Sequence, residues 1–181
     1  MLQLNFSPFP QLTTERLVLR ALTTADAGAI AALRSNEIVN QYLDRPKTTT
    51  PGDALLFIEK ISKTLANKEG AYWVIALKEN NALIGTICYW NLIPEENIAE
   101  IGYELHPDFH GKGIMQEAIE AVIDYGFNEM NVEIITAIPI AANTPSRKLL
   151  KRNNFTIDDS GKYAGEVYEG SENNVIYILK K

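Results

Sequence analysis

Two glycines flank one lysine in the run Gly111-Lys112-Gly113, and the types and spacing of these residues point directly to a kind of chemistry. Glycine accepts the left-handed backbone conformations of a tight turn, so the backbone N–H groups of the turn can face an anion without side chains in the way. A helical pattern follows, and the positive end of a helix dipole adds attraction for negative charge. The run therefore predicts a cradle for a phosphate group.

The segments on either side of this run have the patterns of a strand and of a helix. Residues 97–105 alternate between apolar and polar side chains, as in a half-buried strand, and His106-Pro107 ends that pattern. After the glycines, apolar residues recur at helical spacing: Met115, Ala118, Ile119, Val122 and Tyr125. No Lys-Ser or Lys-Thr pair follows, which argues against a Walker P-loop. A lone Gly-x-Gly is still a weak pattern, because many strand-helix junctions use glycine for their turn.

A second strand-helix junction lies downstream. Residues 132–138 read as a strand, and either Asn143 or Thr144 can cap a helix that has Pro145 at its first position. We expect this helix to end near Asn153-Asn154, since asparagine tolerates the left-handed conformation of a C-cap.

The rest of the chain reads as one domain preceded by a short arm, residues 1–11. The predicted elements are a strand over 16–21, a capping box at Thr23 and Asp26, a helix from Thr50-Pro51, a hairpin of 72–77 with 82–90, and two C-terminal strands that include Tyr163, Val167, Tyr168 and residues 175–179. This pattern predicts a mixed α/β domain of the α+β class, with a largely antiparallel sheet covered by helices.

Together these segments resemble the acetyl-CoA-binding core of the GCN5-related N-acetyltransferase (GNAT) superfamily, and in particular its RimJ/RimL branch, which acetylates ribosomal-protein N-termini. The resemblance runs from about Leu12 to Ile178 and depends on residues 12–20, 83–87 and 99–103, on the glycine run, and on Asn143-x-x-Ser146. It implies a GNAT fold, in which about four helices flank a central, mostly antiparallel twisted sheet. One departure is Asp108, which stands where the superfamily often has Gln or Arg.

The resemblance also implies acetyl-CoA as the co-substrate, with no metal. Backbone amides of the turn would hold the pyrophosphate, and the residues concerned are His110, Gly111, Lys112, Gly113, Ile114 and Met115. Lys112 could assist, or could be an ordinary solvated turn lysine. The strand backbone at Tyr103, Glu104 and Leu105 would add sheet-like bonds to the pantetheine arm, together with Asn143 and Ser146.

The implied reaction is direct attack of an amine on the thioester within one ternary complex. Only an unprotonated amine attacks, and an α-amino group (pKa near ~8) loses its proton far more easily than a lysine (~10.4). Glu100 matches the acidic position of the family and is the candidate base, acting through a water. Glu104 shares its strand face, so the choice between the two stays open. Ser146 would protonate the departing thiolate, or would only satisfy a backbone N–H at the helix start.

The acceptor is the part that the sequence identifies least. Tyr42, Trp73, Trp90, Asn91 and Tyr163 are candidate lining residues, although aromatic residues are more often core. The branch implies an amine acceptor on a protein N-terminus, such as that of a ribosomal protein. Alternatives are a small-molecule acetyltransferase for a polyamine, aminoglycoside or amino acid, and a non-catalytic acyl-CoA-binding module. The presence of Glu100 and Ser146 counts against the last of these.

Composition and charge narrow the classes of partner and site. The chain has 181 residues, 46% of them hydrophobic, which suits a single core, and its net charge of −6 argues against a nucleic-acid partner. Apolar runs fall short of the ~20 residues that span a bilayer, so we expect a cytoplasmic protein without a membrane partner. Cys88 is the only cysteine and is expected to be a buried strand thiol, and two histidines are too few for a convincing metal site. The sequence does not decide between a monomer and a homodimer.

Overall fold

The computed structural model describes residues 1–43, 45, 48, 50–160, 162–163 and 173–181. Within these residues there are five α-helices: α1 (Ala27–Ser35), α2 (Glu37–Asn40), α3 (Pro51–Ala66), α4 (Ile114–Asn128) and α5 (Thr144–Arg152). The same residues form eight strands: β1 (Leu12–Thr13), β2 (Leu17–Ala21), β3 (Ala71–Leu77), β4 (Leu83–Ile93), β5 (Ile98–Leu105), β6 (Ile134–Ala137), β7 (Thr156–Ile157) and β8 (Tyr177–Lys180).

The strands form one sheet in the order β1-β2-β3-β4-β5-β6-β8-β7. Every pairing is antiparallel except that of β5 with β6, which is parallel because α4 carries the chain across the sheet between them. The predicted α+β class and mostly antiparallel sheet are confirmed. The described helices number five instead of about four, because sequence patterning missed the four-residue α2.

The predicted helix starts are confirmed by their caps. Thr50 and Asp53 form a capping box with Pro51 at the first position of α3, and Thr23 and Asp26 form another at a 3₁₀ turn. Asn143, and not Thr144, caps α5. These local interactions satisfy backbone N–H groups that have no partner within the helix, so they fix where each helix begins.

The main core lies between the sheet and α4. Trp73 is completely buried there, its Nε1 donates to the carbonyl of Pro10 at 2.8 Å, and its ring contacts those of Phe9, Tyr89 and Tyr125. The Tyr89 hydroxyl donates to the Val122 carbonyl of α4 at 2.9 Å. Trp73 is therefore a core residue, and its prediction as an acceptor-lining residue is wrong.

The C-terminal prediction is confirmed in part. Residues 175–179 were expected to be a strand, and β8 covers Tyr177–Lys180 beside β6. Val167 and Tyr168, expected in another strand, lie outside the described residues. No helix in the described part of the chain is long and apolar enough to cross a membrane.

Candidate active site

β5 and β6 diverge at the centre of the sheet. β5 pairs with β4 from Ile98 to Leu105, with one irregularity, but it pairs with β6 only from Ile98 to Glu100. Beyond Glu100, the edge of β5 that faces β6 has no strand partner within the described sheet. Such an edge offers backbone N–H and C=O groups to an extended ligand, in the way that a peptide adds to an open sheet edge.

The glycine turn stands at the far end of this open edge. Gly111 and Gly113 have φ values of +72° and +75°, which only glycine adopts without strain, and both are exposed. The first hydrogen bond from α4 runs from the Glu117 N–H to the Gly113 carbonyl at 3.1 Å. The amides of residues 114–116 thus have no helical carbonyl partner, as an anion site at a helix N-terminus requires.

The side chains of His110, Lys112 and Asp108 around the turn contact other groups or lie in solvent. The His110 ring contacts the Leu105 carbonyl through Nε2 at 3.0 Å, which ties the turn to the end of β5. The Lys112 amine lies 5.5 Å from the centre of the Phe109 ring, and the Asp108 side chain is 81% exposed. Asp108 therefore points to solvent, and its departure from the usual family residue does not obstruct the turn.

At the start of α5, Asn143 caps the helix and the Ser146 hydroxyl contacts β5. The Asn143 side-chain oxygen accepts the Ser146 N–H at 3.1 Å, so the serine hydroxyl is not needed as the cap. The Ser146 hydroxyl lies 2.8 Å from the Tyr103 hydroxyl. Because Tyr103 is on β5 and Ser146 follows β6, this contact spans the gap between the diverging strands. The predicted grouping of Tyr103, Asn143 and Ser146 is thus observed in space.

The two hydroxyls of this bridge keep their protons at ordinary pH. Burial raises the pKa of Tyr103 to about 12, although the hydrogen bond with Ser146 works in the opposite direction. A neutral phenol can donate to Ser146 or accept from it, so the pair can pass or orient a proton.

Glu100 and Glu104 share a face of β5, as predicted, but have different surroundings. Glu104 contacts Arg45 Nη2 at 2.6 Å and Arg34 Nη1 at 3.6 Å, and its Oε1 accepts from Thr86 at 3.1 Å. Two guanidinium groups therefore compensate the charge of this carboxylate.

Glu100 is 5% exposed and lies where β5 leaves β6. Its Oε2 accepts from the Asn91 side-chain amide at 2.9 Å. Asn91 has a φ of +44° at the irregular end of β4, where the register with β5 shifts between Trp90 and Ile93. This irregularity brings Asn91 to the carboxylate, an interaction that residue spacing alone does not indicate.

A cleft of about 360 Å³ opens next to Asn91, between α3 and the ends of β3 and β4. Its walls include Phe57, Ile61, Tyr72, Cys88 and Trp90. Of the predicted acceptor residues, Trp90 and Asn91 lie in this cleft. Tyr42 and Tyr163 are half-buried elsewhere, and the Lys162 amine lies 5.1 Å from the Tyr163 ring centre.

Cys88 lies in a strand as predicted, but the residue is half-buried instead of buried and lines the cleft. Burial nevertheless raises the pKa of the thiol to about 12, and Glu104 adds to the rise. The protonated thiol is a poor nucleophile and metal ligand. No group of residues suited to a metal ion occurs among the described residues.

Sequence reasoning did not identify three residues that lie beside Glu104 or line the cleft: Arg34, Arg45 and Tyr72. Arg34 stacks on the Phe57 ring at 3.9 Å while it faces Glu104, so the cluster joins α1, α3 and β5. No local motif marks these residues, because their contacts depend on how distant elements pack.

Known proteins share this arrangement of sheet, turn and helices. A family model described as an acetyltransferase (GNAT) domain matches residues 16–156. The chain belongs to the GNAT acetyltransferase family. It is accordingly an acetyl-CoA-dependent N-acetyltransferase, and the predicted family and enzyme class are confirmed.

Relatives of similar length support this assignment. The chain is 35% identical over 147 residues to YoaA of Bacillus subtilis, an uncharacterized N-acetyltransferase, covering 81% of this chain and 83% of YoaA. It is 37% identical over 145 residues to the N-acetyltransferase p20 of Bacillus licheniformis, covering 80% and 81%. The solved ribosomal-protein-S5-alanine acetyltransferase of Vibrio fischeri has a TM-score of 0.77 at 22% identity, covering 94% and 96%, and shows that the folds agree.

Proposed function

We propose that this enzyme transfers the acetyl group of acetyl-CoA to the α-amino group of a protein N-terminus. The observation that carries the proposal is the open edge of β5, which runs from the glycine turn to the point where Glu100 is held by Asn91. A coenzyme bound at the turn and along this edge would present its thioester near a carboxylate and a hydroxyl.

The residues present fit the coenzyme. The amides from Gly111 to Met115 suit a diphosphate, whereas the His110 N–H already donates to the Pro107 carbonyl at 3.0 Å. The edge of β5 that faces away from β4 at Tyr103, Glu104 and Leu105 suits the amides of a pantetheine arm, and the Asn143 amide nitrogen lies at the same end of α5 as Ser146. Bound acetyl-CoA supplies an activated acyl group, and the chain supplies orientation and proton transfer.

Glu100 is the proposed general base, acting through a water. Its hydrogen bond with Asn91 orients the carboxylate without neutralising its charge. Glu104 is less suited to this role, because its carboxylate is already engaged by Thr86 and by the guanidinium groups of Arg34 and Arg45. We therefore assign the base to Glu100, which also matches the acidic position of the family, and not to the ion-paired Glu104.

Ser146 is the proposed proton donor to the departing thiolate. The bond formed is between the amine nitrogen and the acetyl carbon, the bond broken is between that carbon and sulfur, the amine proton goes to Glu100, and Ser146 gives its proton to the sulfur. The Tyr103 hydroxyl, 2.8 Å away, can donate a hydrogen bond to the serine oxygen while the proton leaves. Once the products depart, Ser146 regains a proton from solvent and Glu100 releases to solvent the one it took.

Two features favour a protein N-terminus as the acceptor. An α-amino group is more readily deprotonated than a lysine or a polyamine at neutral pH. The cleft beside Asn91 has apolar and aromatic walls, with Trp90 among them, that could receive the first side chains of a peptide. The name of the Vibrio fischeri protein, a ribosomal-protein acetyltransferase, points the same way. Tyr42 and Tyr163 remain proposed acceptor contacts from the family resemblance alone.

The deciding experiment measures thiol release from acetyl-CoA with N-terminal peptides, lysine-blocked peptides, polyamines and aminoglycosides. We expect turnover on peptides with a free α-amino group, lost in Glu100→Gln and retained in Glu96→Gln, an exposed glutamate given the same change. Turnover on a polyamine or aminoglycoside, with none on any peptide, would overturn the proposed acceptor. Failure of the parent protein to bind acetyl-CoA would overturn the coenzyme site as well.

A further inference from the structure

The segment that opens β2 contacts the glycine turn, although β2 is separated from β5 by two other strands. Residues 14–17 contribute to the family resemblance, but the proposed chemistry assigns them no role. Arg16 is the residue that makes the contact. Its Nη1 donates to the Lys112 carbonyl at 2.9 Å, and its Nε donates to Glu117 Oε2 at 2.7 Å.

The backbone of Arg16 is fixed by hydrogen bonds to two different elements. Its backbone N–H donates to Glu117 Oε1 at 2.7 Å, and its carbonyl accepts the Lys78 N–H of the neighbouring hairpin at 2.8 Å. The Thr14 hydroxyl donates to the same Glu117 oxygen. Glu117 thus joins β2 to the first turn of α4, and the guanidinium bridges Glu117 and the turn.

The bond to the Lys112 carbonyl orients the amide that follows it. A trans peptide unit is planar, with its C=O and N–H pointing in opposite directions. Because Arg16 holds the Lys112 carbonyl, the Gly113 N–H must point away from Arg16. Lys112 is flanked by two residues with positive φ, Gly111 and Gly113, so this peptide unit would otherwise have wide rotational freedom.

Arg16 also compensates a charge that would oppose coenzyme binding. Glu117 lies in the first turn of α4, next to the amides that would receive a diphosphate. Although partial burial raises its pKa, hydrogen bonds from Thr14 and Arg16 lower it below the ordinary value, so the carboxylate is ionised at neutral pH. An ionised carboxylate beside an anion site repels the anion unless a cation is paired with it.

We propose that Arg16 is a positioning residue for the coenzyme: its fork of donors fixes the Lys112–Gly113 peptide and neutralises Glu117, so that the turn is preorganised for a diphosphate. This inference depends on the proposed use of the turn for acetyl-CoA. The planar guanidinium is needed, because a lysine ammonium on a flexible stem does not hold the carbonyl and the carboxylate in one fixed geometry.

The test is calorimetric titration of CoA and acetyl-CoA, together with steady-state kinetics and melting temperatures. We expect Arg16→Ala to raise the Kd and the KM for acetyl-CoA about tenfold, with kcat at saturation unchanged, and Arg16→Lys to recover only part of this loss. The matched control is Arg20→Ala, four residues further along the chain in β2, which removes an ion pair with Asp26 (2.8 Å) away from the turn. It should lower the melting temperature and leave the Kd unchanged.

The outcomes separate the two proposals. If the parent protein binds neither CoA nor acetyl-CoA, both are overturned. If it binds them and the Arg16 variants bind equally well, only the role of Arg16 is overturned. A similar rise in Kd in Arg20→Ala would assign the effect to general stability, and full recovery by Arg16→Lys would assign it to charge alone; either result contradicts a positioning role.

Discussion

The proposed coenzyme side and the proposed acceptor side of the site are built from different parts of the polypeptide. On the coenzyme side, the glycine turn and the open edge of β5 present backbone groups. On the proposed acceptor side, Glu104, Arg34 and Arg45 form a largely buried cluster of charged side chains from separate elements, and Arg34 stacks on Phe57 in the wall of the cleft. Backbone recognition tolerates a change such as Asp108, whereas a side-chain cluster depends on each of its members. One enzyme can thus keep a fixed coenzyme site while its acceptor site varies.

Removing a charge from the acceptor side gives the largest expected effect. Glu104→Gln leaves Arg34 and Arg45 without their shared carboxylate, whose side chain is only 7% exposed. Breaking a buried pair in this way costs about 3 kcal/mol of unfolding free energy. Urea denaturation measures it, with Glu96→Gln as the exposed control. Equal stability of the two variants would contradict the view that the cluster supports the acceptor side.

The equivalent test on the coenzyme side changes backbone freedom. Gly113→Ala forces a side chain into φ +75° with its Cβ 3.4 Å from Arg16, and such strain costs about 2 kcal/mol. We expect a higher Kd for acetyl-CoA by calorimetry and little change in acceptor KM. The matched change is Gly28→Ala, where an added Cβ meets nothing within 4 Å, and which should leave the Kd unaltered. If Gly113→Ala raised the acceptor KM and left the Kd for acetyl-CoA unchanged, the assignment of the glycine turn to the coenzyme side would be contradicted.

The same division explains what could be predicted from the sequence. The glycine turn, the cap at Asn143 and the shared face of Glu100 and Glu104 follow from local pattern and spacing. The divergence of β5 from β6 does not, because it depends on where a non-local pairing ends. Trp73 illustrates the limit: neighbouring residues of a strand face opposite sides, and it is Tyr72 that lines the cleft while Trp73 fills the core.

A smaller effect is expected at the hydroxyl bridge between Tyr103 of β5 and Ser146 of α5, on the proposed coenzyme side. Tyr103→Phe removes the partner of Ser146, and one such hydrogen bond is worth about 1 kcal/mol. The kcat for thiol release should fall about fivefold. In the background of Ser146→Ala the same change should have little further effect, because the two hydroxyls act together. Tyr125→Phe, in the core beside Trp73, is the control. Fully additive effects of the two site variants would show that the hydroxyls act independently.

The smallest effect is the acid dependence of stability, which compares the proposed coenzyme side with the rest of the fold. Burial raises the pKa of Asp26, but hydrogen bonds from Arg20 and Thr23 lower it on balance; Glu117 has a lowered pKa for the corresponding reasons. A carboxyl whose folded pKa lies below its unfolded value (about 4) stabilises the fold above that value, and this stability is lost as the pH falls through the folded pKa. Unfolding free energies measured between pH 7 and pH 3 should therefore fall less steeply in Asp26→Asn and Glu117→Gln than in the parent. Only Glu117→Gln should also change acetyl-CoA affinity, since only Glu117 is linked through Arg16 to the glycine turn; an equal change in Asp26→Asn would break the proposed separation of the coenzyme side from the rest of the fold.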